Sequence, residues 1–485
     1  MENNNQPKNN SQNSAITPQE INFAKWYDDV LKNADLIHYS EVKGTVIFNP
    51  NATVIWEKIK AKIDQYFKPL GIKNLMMPTL IPYEDFLLEK QHLSGFAPEM
   101  FIVTKNTVGQ EGSALDSQKL VLRPTSEILF CRYFKDTLVS YSQLPFKFNQ
   151  WANVFRVEKN TRPFLRTSEF YWQEMHSIHA SEQEAIDFAK KLNEVYTQFI
   201  ENDLNIPVLN GTKTEYERFA GAEQTYTCEA LMPDGQALQC ATSHFLGQNF
   251  VKPYKVMYRD ENNEVVYPYQ TSAGISTRII GAIIMTHSDN KGLVLPWSVA
   301  FIRFAICLLN STDEMLAYAN KLKELLHDED TVIDQENKGL GFKIKKYEAL
   351  GCPFILLIGK KEMETNSITV INRLDDVKIT YTVSDFIAKL PSLIGQYNQL
   401  LRTKANKILD NGIEVCHTLD EVKQAIANKH IALAPWAGSV EEEKQFKKET
   451  TFSTRCIKEE VKDPNLKCIY TNKPAVYWVY FAKAY

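Results

Sequence analysis

The stretch over residues 156–174, RVEKNTRPFLRTSEFYWQE, constrains the fold more than any other. Its turn-rich centre (Asn160, Thr161, Pro163) precedes an aromatic run with strand propensity, which is the pattern of a hairpin. In an extended first strand Arg156 and Glu158 share one face. The loop then supplies Arg166. Far downstream, residues 274–281 read GISTRIIG, a loop that delivers Arg278 onto an apolar helix start. Three arginines converging from separated segments suit a bound polyanion, since each guanidinium fork can grip a phosphate or carboxylate with two hydrogen bonds. A nucleoside triphosphate fits that description.

A chain of 485 residues has room for two or three domains and a large buried core. Its net charge of −4 rules out a polycation-like binder, so any nucleic-acid partner must be held by local basic patches. The eight cysteines are scattered without paired spacing, which fits a reducing compartment better than a disulfide framework. Residues 1–14 are rich in Asn and Gln, without an apolar core or cleavage motif, and read as a disordered tail rather than a signal peptide. The most apolar later stretch, residues 293–309, is broken by Pro296 and Arg303 and reads as a buried strand plus helix, not a membrane span. A cytoplasmic location with no membrane contact is expected.

Order is expected to begin with a capping box at Thr17, Pro18, Gln19 and Glu20. A second helix is predicted over residues 52–67 and a strand over 75–80. From there to Trp297 strands outnumber helices, apart from a long amphipathic helix over 182–201. This is one large α+β unit with a mostly antiparallel sheet. After Pro296 helices and strands alternate: helix 313–326, strand 331–334, helix 342–350, strands 353–359, 367–373 and 379–384, and a helix from Asp385. That is a compact α/β domain. A polar helical connector over 392–405 leads to a third unit.

Two further segments carry chemistry. LRPTSEIL, residues 122–129, puts Thr125 and Glu127 on one face if extended, where a hydroxyl beside a carboxylate can receive the protons of an ammonium group. QCATSH, residues 239–244, adds polar groups within an otherwise apolar region. Together PTSE, the hairpin segment, TSHFLGQNF and GISTRIIGAIIMTHSDNKGLVLP resemble the prolyl-tRNA synthetases of archaeal and eukaryotic type, from about Trp26 to Tyr485. In the terms of class II synthetases, Pro78 resembles the motif 1 proline of the dimer interface, residues 156–174 motif 2 and residues 274–281 motif 3.

The resemblance implies a class II catalytic domain on an antiparallel sheet, an α/β anticodon-binding domain and a small C-terminal α/β domain. The implied boundaries are a tail over 1–16, then 17–298, 299–400 and 401–485. It implies a homodimer that activates L-proline with ATP and Mg2+ and transfers it to tRNA(Pro). Thr125 and Glu127 would hold the imino group, Arg156 would sit between the proline carboxylate and the α-phosphate, and His244, Phe219 and His176 would line the proline pocket. Arg166, Thr167, Gln239, Ser276 and Arg278 would bind ATP, with Glu158 holding magnesium directly or through water. Lys343, Lys345, Lys346, Lys360 and Lys361 cluster in the middle domain, where the family places the anticodon; Glu348, Lys360 and Lys361 are the expected contacts.

Each residue alone has a plainer reading. An RxE pair is usually a salt bridge, PTSE can be a helix cap, His176 and His179 can be core histidines, and Cys240 is a small packed side chain rather than a nucleophile. The ordered set changes these odds; no single member does. A threonyl enzyme would need a Cys/His metal set in the catalytic domain, and a non-catalytic relative would not need intact Arg156, Glu158 and Arg278.

The chain also departs from the family. Many relatives carry a C-terminal zinc site, but here the positions of its ligands read Ala437, Glu442, Cys468 and Thr471. One thiolate cannot close a tetrahedral site, so zinc is not expected and the unit should be held by Val476, Trp478, Val479 and Phe481. Ala273 stands where the family has tryptophan, which should widen the wall near the proline ring. Only about 60 residues separate motif 2 from QCATSH, where bacterial-type relatives insert an editing domain, so clearance of alanyl-tRNA would fall to a separate editing protein. The terminal AKAY resembles the family ending, in which the carboxylate, here that of Tyr485, reaches toward the active site.

Overall fold

The computed structural model describes residues 15–88, 99–103, 119–375 and 377–485, so residues 1–14 of the expected tail lie outside it. The backbone separates into two compact units. One takes the described residues of Met1–His38, Phe48–Val54 and His287–Leu400, and the other those of Tyr39–Ile47, Ile55–Thr286 and Leu401–Tyr485.

The second unit is built on an eleven-stranded sheet among the described residues. In chain order its strands are β1 (Lys73–Asn74), β2 (Phe146–Phe155), β3 (Glu169–His179), β4 (Leu209–Thr212), β5 (Gln224–Leu231), β6 (Gln236–Gly247), β7 (Tyr269–Ser276), β8 (Ile413–Val415), β9 (Ile431–Trp436), β10 (Ser453–Glu460) and β11 (Tyr477–Ala484). Their spatial order is β8-β9-β11-β10-β4-β5-β6-β7-β3-β2-β1. The run from β5 to β2 is antiparallel throughout.

The two faces of this run differ because side chains alternate along a strand. One face is covered by the helix Glu182–Gln198, capped by Ser181, which buries Ala185, Phe188, Ala189, Leu192, Val195 and Tyr196 at helical spacing. Ser243 of β6 and Thr271 of β7 donate to the carbonyls of Ala189 and Ala185 of that helix, at 2.6 and 2.9 Å. The other face, carrying Phe170, Trp172, Glu174 and His176 of β3, lines a cavity. A period-two pattern in one strand therefore sorts core from site.

In the first unit a five-stranded sheet has the order Thr331–Asp334, Phe304–Leu308, Phe354–Ile358, Ser367–Asn372, Lys378–Thr382. The first three strands run parallel and the rest antiparallel. Phe354–Ile358 is fully buried, which explains its unbroken apolar sequence. Arg373 is buried against Asp289, with Nη1 and Nη2 at 2.9 and 2.7 Å from the two carboxylate oxygens, a bidentate ion pair.

Several local expectations need correction. Thr17 does not cap a helix: its N–H and hydroxyl both go to Asp29 Oδ2, at 2.9 and 2.7 Å, and residues 18–21 form a turn. The cap is Asn22, which accepts from the Lys25 N–H, and the helix is Phe23–Asn33. The strand expected over 75–80 is split into Lys73–Asn74 and Leu80–Pro82. No helix forms within 293–309; turns lead into the strand Phe304–Leu308. The connector is part of one helix, Val383–Asn411, that contains Pro391.

Lys343 is no surface lysine. It is buried, pairs with Asp334 at 3.2 Å and donates to the Leu308 and Asp334 carbonyls. In the C-terminal region Val479 and Phe481 are core residues and Trp478 is half-buried, but Val476 is 48% exposed because it precedes the strand.

Candidate active site

The cavity encloses about 880 Å3 including its open mouth. Thr125, Glu127, Arg156, His176, Phe219, Gln239, His244, Ser276 and Arg278 all line it. Glu158, Arg166 and Thr167 are not among its lining residues, and lie in the hairpin connection. The last ladder pair of the hairpin is Phe155–Glu169, so Arg156 and Glu158 stand beyond the strand end and do not share a strand face as expected. Arg166 closes a tight turn with Arg162 and donates to Glu158 at 3.3 Å and to the backbone oxygen of Tyr485 at 3.2 Å. Thr167 donates to the Glu169 carbonyl at 2.7 Å.

Thr125 and Glu127 meet by a different route from the one expected. Glu127 is the first residue of the helix Glu127–Thr137, and the chain turns at Ser126. The turn still brings Thr125 Oγ1 to 2.5 Å from Glu127 Oε2, and both are buried. Helix start and hydroxyl–carboxylate pair are the same structure here, and a carboxylate at a helix N-terminus is also favoured by the helix dipole.

Glu174 organises the cavity floor. Its carboxylate accepts from the Ser126 N–H and hydroxyl, from Gln150 and from His176 Nε2, the last at 3.1 Å. Burial alone would raise its pKa, but these donors outweigh that and hold it below the usual carboxylate range. An ionised Glu174 is an acceptor only, so His176 must present Nε2–H to it.

His244 is held through both ring nitrogens, by Thr225 at 2.9 Å and Thr242 at 3.1 Å. Burial first, then the nearby His176 and Lys213, push its pKa down to about 3, so it is neutral at physiological pH. The Phe219 ring lies 4.7 Å from it, giving an apolar wall. Arg156 sits 5.4 and 5.5 Å from the Phe170 and Trp172 ring centroids, within cation–π range, and donates from Nε to the Pro124 carbonyl. Arg278 opens the helix Arg278–His287 and donates from Nε to the Leu165 carbonyl at 3.0 Å. Burial, then Arg166, Arg156 and Arg455, push Arg278 down to about 10. It remains charged, among other cations, as an anion site requires.

A β-bulge shapes the Gln239 end of the cavity. Cys228 pairs with Ala241 and Glu229 with Gln239, so Cys240 is the extra residue of β6. Burial raises the Cys240 thiol well above its usual range, in keeping with a packed side chain. His179 is buried outside the cavity, against Glu184 and Ser177. Ala273 does border the cavity. However, it pairs with Ser243 and Met175, on the alternation that faces the helix Glu182–Gln198. The register therefore turns its side chain away, and the expected widening near the ring does not follow.

Sequence reasoning missed Phe170, Trp172, Glu174, Arg218, Thr225 and Thr242 as lining residues. Counting in twos along β3 from His176 would have found the first three.

Three family profiles match the chain in order: "tRNA synthetase class II core domain (G, H, P, S and T)" at residues 112–287, "Anticodon binding domain" at 303–393 and "Prolyl-tRNA synthetase, C-terminal" at 419–485. Proline–tRNA ligase of Ureaplasma parvum serovar 3 is 46% identical over 472 residues, covering 97% of this chain and 98% of that protein. The chain belongs to the prolyl-tRNA synthetase family. The same ligase of Malacoplasma penetrans is 46% identical over 478 residues, 97% and 100% of the two chains. The prolyl-tRNA synthetase of Cryptosporidium parvum, solved with halofuginone and AMPPNP, superposes with a TM-score of 0.92 at 32% identity, over 99% of each chain.

Glu442 and Cys468, compared above with zinc ligands of relatives, are both engaged otherwise in this chain. Glu442 caps the helix Val440–Thr450 through the Ser439 N–H and pairs with Lys473 at 2.6 Å. Lys473 first, then the cap, lower its pKa to about 2. Cys468 packs in an apolar cluster with Trp436, Phe446 and Phe481. Among the described residues no group of three or more His, Cys, Asp or Glu side chains is placed to hold a metal ion.

Proposed function

We propose that this proline–tRNA ligase binds proline at the Thr125–Glu127 end of the cavity and ATP at the Gln239–Ser276–Arg278 end, with Arg156 between them. The observation that carries this reading is the convergence of both arginines and the hydroxyl–carboxylate pair on one cavity. The secondary ammonium of proline sits on Thr125 and Glu127, and its ring packs against Phe219, neutral His244 and His176. Arg156 holds the proline carboxylate near the α-phosphate. A carboxylate oxygen attacks the α-phosphorus, the bond to pyrophosphate breaks, and prolyl-adenylate forms. The prolyl group then passes to the 3′ end of tRNA(Pro). Positioning and fixed positive charge supply most of the catalysis, since the charge shifted during displacement meets guanidinium groups already in place. Arg166 and Thr167 in the hairpin complete the ATP site.

Magnesium arrives on substrate phosphates and needs few protein carboxylates. Glu158, half-buried and beside Arg166, fits that requirement and would hold the ion, which when bound would neutralise phosphate charge. Glu348, Lys360 and Lys361 are assigned to the anticodon. Lys360 and Lys361 are exposed on the helix Lys360–Glu364, and Glu348 is half-buried. The enzyme acts as a homodimer through the Pro78 region, where Met76 is 93% exposed and Leu80 44%. It works in the cytoplasm with domains at 17–298, 299–400 and 401–485, and leaves editing to a separate protein. Among the described residues no helix is long and apolar enough to cross a membrane.

The test is pyrophosphate exchange with each amino acid in turn. Proline should support exchange; exchange with another amino acid but not with proline overturns the specificity.

A further inference from the structure

Three ionisable side chains outside the described machinery are buried together. Glu229 of β5 is fully buried, and Lys213 and Arg455 are 2% and 5% exposed. Lys213 Nζ donates to Glu229 Oε1 at 2.6 Å. Arg455 donates to Oε2 through Nε and Nη2, at 3.0 and 2.7 Å. Thr227 adds its hydroxyl to Oε1 at 2.9 Å, and Ser453 accepts from Arg455 Nη1 at 3.0 Å. Arg455 comes from the C-terminal region matched by the family profile. It reaches the triad because a bulge in β10 inserts it between Thr454 and Cys456, whose partners are consecutive residues of β11.

Two features tie this triad to the cavity. Glu229 and Gln239 are direct ladder partners across the bulge that aims Gln239, and directly opposed residues share a face. Thr225 and Thr227 continue the same row beside His244 and Thr242. The second feature is charge. Two cations face one carboxylate, and buried charges are ordinarily balanced. Of the nearby acids, Glu217 is engaged by Lys447 at 2.7 Å. Glu443 accepts from Thr214 and Thr454, and burial pushes its pKa above the usual carboxylate range. One positive charge is thus left over beside a cavity that already holds Arg278.

We infer that Arg455 is a positioning residue for ATP: through Glu229 it fixes the strand pair that aims Gln239, and its surplus charge favours a polyanion at the Arg278 end of the cavity. The C-terminal region therefore acts on nucleotide binding from beside the cavity, on the same face of the sheet, without touching the nucleotide. This rests on reading that end of the cavity as the ATP site.

The test is pyrophosphate exchange with full-length Arg455→Met, varying ATP and proline separately. KM for ATP should rise about tenfold, the effect of 1.4 kcal/mol, while KM for proline stays within twofold. Arg455→Lys, which keeps the charge, should recover most of the ATP affinity. If Arg455→Met does not fold by circular dichroism, Arg455→Gln can still hydrogen-bond Glu229 without the charge, and the same rise is expected. An unchanged KM for ATP, or equal rises for both substrates, overturns the inference. A wild-type chain that shows no ATP-dependent exchange with proline overturns the underlying reading instead.

Discussion

Arg278 Nε donates to the carbonyl oxygen of Leu165 across 3.0 Å, so the first residue of a helix is held by the turn of a hairpin 113 residues earlier in the chain. The bond sets the direction of a guanidinium that borders the cavity. Hairpin and helix cannot shift independently without moving that charge.

Replacing Arg278 with alanine should lower proline-dependent pyrophosphate exchange by at least about 10²–10³-fold, the usual cost of one preorganised transition-state donor. Circular dichroism should show an unchanged fold. Exchange within tenfold of wild type would remove Arg278 from the catalytic role.

Acid should destabilise the protein partly through His244. Its pKa falls from an ordinary 6.5 to about 3 on folding, so the unfolded chain takes up a proton that the folded one refuses. The stabilising contribution is complete above pH 6.5 and is lost as pH falls toward 3, with a ceiling on the order of 4–5 kcal/mol. His244→Gln should flatten that part of the stability curve in urea titrations between pH 7 and 4. A variant that keeps the wild-type slope would show that other groups carry it.

Lys360 and Lys361 provide a separate check on RNA binding. Alanine at both should weaken tRNA binding at low salt and reduce the slope of log affinity against log salt by about 1.4, the single-strand value for two phosphate contacts. Proline-dependent exchange, which needs no tRNA, should not change. An unaltered salt slope would place the anticodon elsewhere.

Treatment with a strong chelator should leave the melting temperature of the nucleotide-free enzyme unchanged, because Glu442 is committed to Lys473 and Cys468 to an apolar cluster. A drop restored by zinc would mean that the C-terminal region is metal-dependent after all.

Much of this was readable from residue patterns. Helix Asp313–Leu326 and strand Thr331–Asp334 match expectation to the residue, because a capping threonine and clear periodicity mark them. The same signals failed at Thr17, whose hydroxyl is drawn to Asp29 twelve residues on, a contact no local window contains. Lys343 misled for a similar reason: it stands on a helix and its partners lie on two strands. Within the site, the arginines and the Thr125–Glu127 pair stood out because charged groups in apolar segments are conspicuous. Glu174 and Trp172 did not, since only the strand face on which they stand reveals them. The bulge at Cys240 breaks the alternation of β6 and cannot be counted from sequence at all.

β11 pairs with β9 and β10 of its own region, and its end also runs parallel to β6, with Gln236 opposite Lys483 and Ala237 opposite Ala484. Residues 477–484 are thus laid into the same hydrogen-bonded layer as the residues that line the cavity. Cutting the chain before residue 419 would strip a row of backbone partners from β4 and β6, so a shortened version should emerge with a raw sheet edge, prone to self-association, rather than as a tidy activation module.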